Sequence, residues 1–383
     1  MTSRERVMKA MNMEHPDRVP LMCQFSIGFM NQQLKEAGIS PMELWLDAEK
    51  YAEALLFLRE KFSFDGVLVS LHGHSANWRD AIQKTVFKDG MEIATFHDRT
   101  EYYPDNDLPY AAFVQSRQRD PADVIPEEIP DELNYIPASK DCYIFIDTKD
   151  PYRIFDMLDC RVKNEFSIHG EITSPFDYLL DLLGYENALV ALITDADKCK
   201  SILQRFTEGI LKMSKGICSK NIDAIKISSP FTGMGFISPE FYREFELPYI
   251  TQLSDFIKSK GKFVYLHTCG HIDDRLEQMK ESGASGLECL DPPPIGNVEL
   301  EDAFKRIGRD MFIKGNIDSV HTLLDGSEET IEKDIQKRLS IGKEYPGFIL
   351  STACSIAPMV ESGKLKKLFY LVKKYGYYHE NHP

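Results

Sequence analysis

The sequence predicts an α/β fold, a (β/α)8 TIM barrel with an N-terminal helical extension and an inserted segment near 75–160. Three observations predict it. From about residue 164 onward, short β-rich apolar runs alternate with helical stretches, the pattern of a parallel sheet covered by helices. Seven strands can be traced, with an eighth near 20–25 or within the insertion. No GxGxxG turn follows any strand, which places an open, doubly wound dinucleotide-binding sheet second.

The elements follow in order. Residues 3–13 read as a short helix that Ser3 can cap, with Val7, Met8 and Met11 near one face, ended by His15-Pro16. Residues 41–62 read as one strong helix, since Pro41 suits a first turn and apolar positions recur at three- and four-residue steps. DGVLVSL (65–71) is a short buried strand, and TVFKDGMEIATF is a hairpin around Asp89-Gly90. The proline- and acid-rich stretch from Pro104 to Pro151 reads as a long excursion, so 75–160 is an insertion in a single domain spanning 1–383. Beyond it, NEFSIHGEI, DAIKISS, KFVYLHT, SGLECL, MFIKGNI and FILSTA are strands. Between them DYLLDLLGYENALVALITD, DKCKSILQRFTEGILKMSKGICSKN, SPEFYREFELPYITQLSDFIKSKG, DDRLEQMKESG, VELEDAFKRIG and EETIEKDIQKRLSIGKEY are helical, as is the end of the chain.

Composition narrows the function classes. A hydrophobic content of 43% supports a substantial core, and the formal net charge of −15 repels phosphate backbones, which sets nucleic acid aside as a partner. MTSRERVMKAMNMEHPDRVP lacks the apolar core and cleavage site of a signal peptide, and no apolar run is long enough to span a membrane. The eight cysteines are scattered, unlike a disulfide framework, so the expected setting is a reducing cytoplasm with thiols free to bind metal.

Chemistry in such barrels sits where strands end. Those ends read His72 and His74, then His169 and Glu171, Ser228 and Ser229, His267 and Cys269, Glu288 and Asp291, Asn316 and Asp318, and finally Thr352 and Cys354. A purely structural barrel needs no such series. In YLHTCGH (265–271) His267 and Cys269 stand two apart, and Gly270 permits the turn that lets both reach one ion. Cys354 ends the last strand in LSTACSIAP. Two thiolates and an imidazole form a zinc set, with the fourth position left to Glu288, Asp291, water or substrate. The bland reading stands beside it: an HxC pair arises by chance, and buried cysteine is a common core residue. Cys289 alternates with Glu288, so one of the two faces away from the interior. Cys23, Cys142, Cys160, Cys199 and Cys218 read as packing residues. His72 and His74 order a loop or contact substrate, and His379 and His382 belong to a charged tail.

Taken together, TSRERVMKAMNMEHPDRVP, ISPEFYREFELPY, HTCGH, GNID and ILSTACSIAP resemble signatures of the uroporphyrinogen decarboxylase superfamily, over most of the chain outside 75–160. The resemblance implies a TIM barrel with its active site at the C-terminal mouth. Decarboxylases of the superfamily carry an arginine-rich motif soon after VP that grips acetate carboxylates. Here that segment is VPLMCQFSIGFM, with no arginine between Arg18 and Arg59, so a porphyrinogen would lack its cationic clamp. The other branch holds zinc-dependent, corrinoid-linked methyltransferases, and its HxC…C motif is matched by His267, Cys269 and Cys354.

That branch implies zinc on these three residues, with Glu288 as candidate fourth ligand and Glu288 and Asp291 as catalytic acids. It implies a cobalamin carried by a separate small corrinoid protein, because the chain has no DxHxxG-type cobalamin motif. A homodimer is compatible with it. The expected activity moves a methyl group from a methoxylated, aromatic compound to cobalt(I), with zinc stabilising the departing oxygen. The alternative is methylation of a thiol such as coenzyme M, which wants a cation for its sulfonate that the sequence does not point to. Residues 22–30 offer an apolar, aromatic lining suited to a neutral ring, and Gln24, Phe25, His72, His74 and Asn316 are the expected substrate contacts. Against this, Phe25, Phe29 and Met30 can equally pack under a loop. A third reading is a zinc-stabilised barrel without catalysis that docks a partner.

Overall fold

The computed structural model describes residues 1–378, so His379 and His382 lie outside the described residues. Seven strands form one parallel sheet in chain order: β1 (Gly66–Val69), β2 (Ser167–Thr173), β3 (Ala224–Ser228), β4 (Phe263–Thr268), β5 (Gly286–Cys289), β6 (Phe312–Ile317) and β7 (Phe348–Thr352). Strands β5, β6 and β7 are buried along their whole length. That is the expected state of near-continuous apolar runs covered by helices.

Residues 20–25 take the eighth position, not the insertion. Leu21 lies opposite Leu350 and Phe25 opposite Ile356, both in parallel sense. On the β7 side Leu350 N donates to Pro20 O (2.9 Å) and Met22 N to Leu350 O (3.0 Å); on the β1 side Asp65 N donates to Leu21 O (2.8 Å). One short segment therefore bonds to both edges of the curled sheet and closes the barrel.

Asp65 holds that segment in place. It is fully buried and accepts from Arg6 Nη1, Arg18 Nη1, Ser3 Oγ and Leu21 N, each at 2.8 Å. Ser3 is thus engaged with Asp65, and Thr2 instead caps the helix Ser3–Met11 in a reciprocal box with Glu5. This helix seals the N-terminal end of the barrel, where Val7, Ala10 and Met11 join Met22, Ala224, Tyr265, Phe312 and Ile349 in one cluster.

Several helices are shorter than their apolar period suggests. The stretch 41–62 is two helices, Pro41–Leu46 and Ala48–Phe62, because the Asp47 side chain leaves the helix to accept from Glu49 N and Lys50 N. Gly184 similarly divides Pro175–Leu183 from Tyr185–Thr194. Ile27–Leu34, capped by Ser26, is a helix that the sequence reading did not assign.

The insertion is structured. Lys84–Lys88 and Met91–Thr95 form the expected hairpin, and Asp89 (φ 52°) and Gly90 (φ 78°) both adopt the positive φ that a type I′ turn requires. Arg99–Tyr103 and Tyr110–Phe113 extend it to four antiparallel strands, and Tyr135–Ser139 with Cys142–Phe145 forms a second hairpin. The insertion ends before its composition suggests. Arg153–Val162 is a helix that packs on Ala48–Phe62 and returns the chain to β2.

Removing Asp65 leaves two buried guanidinium groups without that partner. Asp65→Ala is expected to destabilise the fold by about 3–5 kcal/mol, measured by urea unfolding, with Asp65→Asn falling between variant and wild type.

Candidate metal centre

Register places the chemistry. On β4, Tyr265 and His267 share the interior face, and His267 lies opposite Ser228 on β3 and Glu288 on β5. Cys269 follows the strand end, and Gly270 (φ 77°) turns the chain back. Cys354 stands just past the end of β7. The Cys269 Sγ lies 3.3 Å from His267 Nε2 and 3.7 Å from Cys354 Sγ, and the three donor atoms lie within 4.8 Å of one another. Tetrahedral zinc with zinc–sulfur bonds of roughly 2.3 Å spaces two sulfurs about 3.8 Å apart, so the donor set fits that ion without rearrangement. Hydrogen bonds from the Cys269 and Cys289 thiols hold the Cys354 thiol well below its ordinary range.

Glu288 stands behind His267 rather than beside the thiols. Its Oε2 accepts from His267 Nδ1 at 2.9 Å, and its Oε1 is paired with Lys314. The expectation of Glu288 as fourth ligand is corrected on this point. Lateral pairing puts its carboxylate against the ring edge opposite Nε2. An ionised carboxylate only accepts, so Nδ1 carries a ring proton and Nε2 is the nitrogen that faces the thiols. Burial would raise the Glu288 pKa, but Lys314, Lys226 and His267 outweigh it and hold the carboxyl well below the usual range.

Lys226 and Lys314 are fully buried, and the sequence reading missed both. Lys226 lies opposite Glu171, and Lys314 opposite Glu288, in the strand register. Lys226 Nζ reaches Glu171 Oε1 (2.9 Å), Gln24 Oε1 (2.8 Å) and, more distantly, Glu288 Oε2 (3.8 Å). Burial would lower the Lys226 pKa, but Glu171 and Glu288 keep it raised. The signal was available: a lysine in the middle of AIKIS and another in FIKGN interrupt otherwise apolar strands.

Asp291 Oδ2 accepts from Gly270 N (2.7 Å) and from the Cys289 thiol (3.2 Å), which ties the turn carrying Cys269 to β5. Cys289, Cys269 and Asp291 form a second close group. Cys289 and Leu290 have positive φ (83° and 55°), which breaks the strand alternation, so Glu288 and Cys289 both serve the site. A period-two reading could not show that.

The other expected substrate contacts are committed elsewhere. Gln24 is bound to Lys226. Phe25 stacks on Phe29 and Phe64, and Phe29 and Met30 are buried, so residues 22–30 are core packing rather than an aromatic lining. Asn316 Nδ2 donates to Leu290 O (2.9 Å), and its carbonyl accepts from Arg338. His72 meets the Glu171 carbonyl at 3.0 Å and packs beside Tyr152 and Phe155, while His74 lines a separate cavity. His169 is bound to Tyr265 and Ser167. Cys23, Cys142, Cys199 and Cys218 are buried as expected, but Cys160 is exposed.

A buried acid pair also lies at the strand ends. Ser229 is bonded to Glu246, and Ser174 reaches both Asp177 (3.0 Å) and Glu246 (3.4 Å). Ser229 N donates to the His267 carbonyl (2.8 Å), so the pair adjoins the strand that carries the imidazole. Burial pushes Glu246 up from 4.5 to about 7, and burial together with Glu246 raises Asp177. Asp177 sits in the helix Pro175–Leu183 and Glu246 at the junction of the helices Pro239–Phe245 and Leu247–Ser259, where a reading of strand ends does not look.

A buried carboxyl with a raised pKa binds its proton more tightly in the folded state than in the unfolded state. Its contribution is therefore lost as pH rises from about 4.5 to about 7. Glu246→Gln keeps the hydrogen-bonding shape and removes that titration. Its stability relative to wild type should rise between pH 5 and pH 8 by on the order of 3 kcal/mol, read from urea unfolding at the two values.

The chain is 26% identical over 221 residues to the methylcobamide:CoM methyltransferase MtbA of Methanosarcina acetivorans, covering 58% of this chain and 62% of that protein. It is 29% identical over 179 residues to the uroporphyrinogen decarboxylase of Ruthia magnifica, covering 46% of this chain and 49% of that one. The chain thus spans less than two thirds of the length of these curated relatives. A solved methyltransferase from Methanosarcina mazei shares the fold, with a TM-score of 0.73 over 98% of this chain and 99% of that one at 20% identity. Residues 139–375, well over half of the chain, match the uroporphyrinogen decarboxylase (URO-D) family, and the protein belongs to that family.

Proposed function

We propose that this protein is a corrinoid-dependent methyltransferase with zinc held by His267, Cys269 and Cys354, and that its methyl donor is a neutral methoxylated compound, an aryl methyl ether. One observation carries the reading. Three soft donors converge at the mouth of a barrel in zinc-like spacing, while Glu171 and Glu288 already match the buried ammonium groups beside them. Such a site suits an uncharged substrate better than a polyanion.

Zinc bound there supplies a Lewis acid that stabilises a departing oxygen or a thiolate at its open position. The chain's own residues prepare for it. Glu288 holds the proton on His267 Nδ1, Lys314 and Lys226 keep Glu288 ionised, and Asp291 fixes the turn that carries Cys269. The corrinoid arrives on a separate small protein, a reading supported by the methylcobamide in the names of the Methanosarcina relatives. Among the described residues no helix is long and apolar enough to cross a membrane, and all eight cysteines are free, which suits a cytoplasmic setting.

Methylation of a thiol is the second reading, favoured by the CoM in those names. It uses the same zinc, but a sulfonate would need a cation that Lys226 and Lys314, already paired, do not offer. Decarboxylation is disfavoured by the absence of arginine between Arg18 and Arg59.

Purified protein should hold about one zinc per chain. Cys269→Ala and Cys354→Ala should lose it while keeping the circular dichroism of the wild type. Glu288→Gln should keep zinc but bind it about 10–100-fold more weakly, as measured by chelator competition. Wild-type protein free of zinc after zinc-replete expression would reject the ligand assignment.

With a reduced corrinoid protein, an aryl methyl ether should be demethylated and the corrinoid methylated, followed by its visible spectrum. Transfer only from methylcobalamin to a thiol would establish the second reading, and transfer in neither assay would reject both. Uroporphyrinogen should yield no coproporphyrinogen at an enzymatic rate.

A further inference from the structure

We propose that Cys289 is a fourth, exchangeable ligand of the metal centre, binding the ion at rest and withdrawing to Asp291 when substrate takes its place. The proposal rests on the zinc assignment to His267, Cys269 and Cys354. A fourth soft donor stands at that mouth. The donor atoms of Cys269, Cys289 and Asp291 lie within 4.8 Å of one another, as do those of the three-donor set, and Cys269 belongs to both groups. The Cys289 thiol interacts with those of both Cys269 and Cys354. Glu288 cannot take the position, since it is bound to His267 and Lys314.

Cys289 is fully buried, and a buried thiol is ordinarily core packing. The backbone sets this one apart. In a regular strand, residue 289 would turn to the face opposite Glu288. Instead Cys289 (φ 83°) and Leu290 (φ 55°) adopt the left-handed region, which is uncommon outside glycine and which apolar packing does not demand. The neighbouring strand β6 is shaped to this turn: a Cβ at Gly315 would stand 2.8 Å from the Cys289 carbonyl oxygen. Together these departures bring one more sulfur round to the thiol side.

The conformer described here is the withdrawn one. Cys289 Sγ donates to Asp291 Oδ2 at 3.2 Å. A thiol that donates is protonated and a metal-bound sulfur is not, so the two positions exclude each other. Asp291 also accepts from Gly270 N (2.7 Å), in the turn that carries Cys269, so the displaced sulfur stays beside the donors. On binding the ion, Cys289 loses its proton to solvent. On displacement its bond to the ion breaks, a bond from the ion to substrate forms, and the sulfur is reprotonated. That proton comes from solvent when an ether oxygen enters, and from the substrate's own S–H when a thiol does. A third thiolate makes the resting complex anionic and a poor Lewis acid, and its departure restores that acidity as substrate arrives. Cys289 supplements the three-donor set without replacing a member, since only Cys269 is common to both groups.

The test counts sulfur atoms on the metal by zinc K-edge X-ray absorption, using full-length protein purified in thiol-free buffer. Wild type should show three sulfurs and one nitrogen. Cys289→Ser should keep its zinc with two sulfurs, and should release it to a chelator several-fold faster. The probe 2-mercaptoethanol should leave the wild-type count at three, because one sulfur replaces another, and should raise Cys289→Ser from two to three. Two sulfurs in resting wild type would overturn the proposal while leaving the zinc assignment intact. Four sulfurs with the probe would show that Cys289 stays bound, and would overturn the exchange. Protein without zinc would overturn the zinc assignment and this proposal with it. The wild-type counts with and without the probe decide the case even where Cys289→Ser fails to fold.

Discussion

Closure of the barrel rests on Asp65. This one buried carboxylate holds two arginines, a serine hydroxyl and the Leu21 amide, and so fixes the segment that bonds to both β1 and β7. The candidate metal centre depends on that closure. Its three donors lie at the ends of β4 and β7, which are not neighbours in the sheet, and only curvature brings those ends together. A sheet with an unfilled eighth position would have no reason to hold Cys354 within reach of Cys269. The charges beneath the barrel thus govern geometry at its mouth.

Inside the barrel a second set of charges works laterally. Glu171 and Lys226 are neighbours across β2 and β3, while His267, Glu288 and Lys314 are neighbours across β4, β5 and β6. Buried ion pairs seldom add net stability, because desolvation offsets much of the attraction. Their contribution here is orientation: the Lys314–Glu288–His267 row fixes which imidazole nitrogen faces the thiols. Such a row tolerates little editing, since removing any member leaves a buried charge or an unoriented ring.

The sequence carried the fold through period and order. The strands from β2 to β7 were visible as apolar runs between helical stretches, and Asp89-Gly90 announced its hairpin. What it hid was local competition. Asp47 breaks a continuous apolar period by capping, and Ile27–Leu34 looked like an apolar lining because helix and lining share a composition. At the site, the grouping of the HxC pair with Cys354 was legible because all three stand at strand ends that meet at the mouth. Glu288 was legible as a site residue but not in its role, since which ring edge it meets depends on strand register. Cys289 was misread because positive φ is invisible in a residue other than glycine.

The segment that closes the barrel has a consequence for synthesis. Ser26 bonds to the carbonyl of Ile356, 330 residues later. The closing segment finds Asp65 early but meets its β7 partners only some 330 residues later. At about 5–20 residues per second this is a wait of roughly 15 to 65 s, during which Met22, Phe25 and Phe29 have no β7 to pack near and the helix Ser3–Met11 has no floor to seal. A nascent chain in that interval exposes apolar surface and holds His267 and Cys269 without Cys354. The three-donor set is thus complete only after translation has passed β7, the strand that ends just before Cys354.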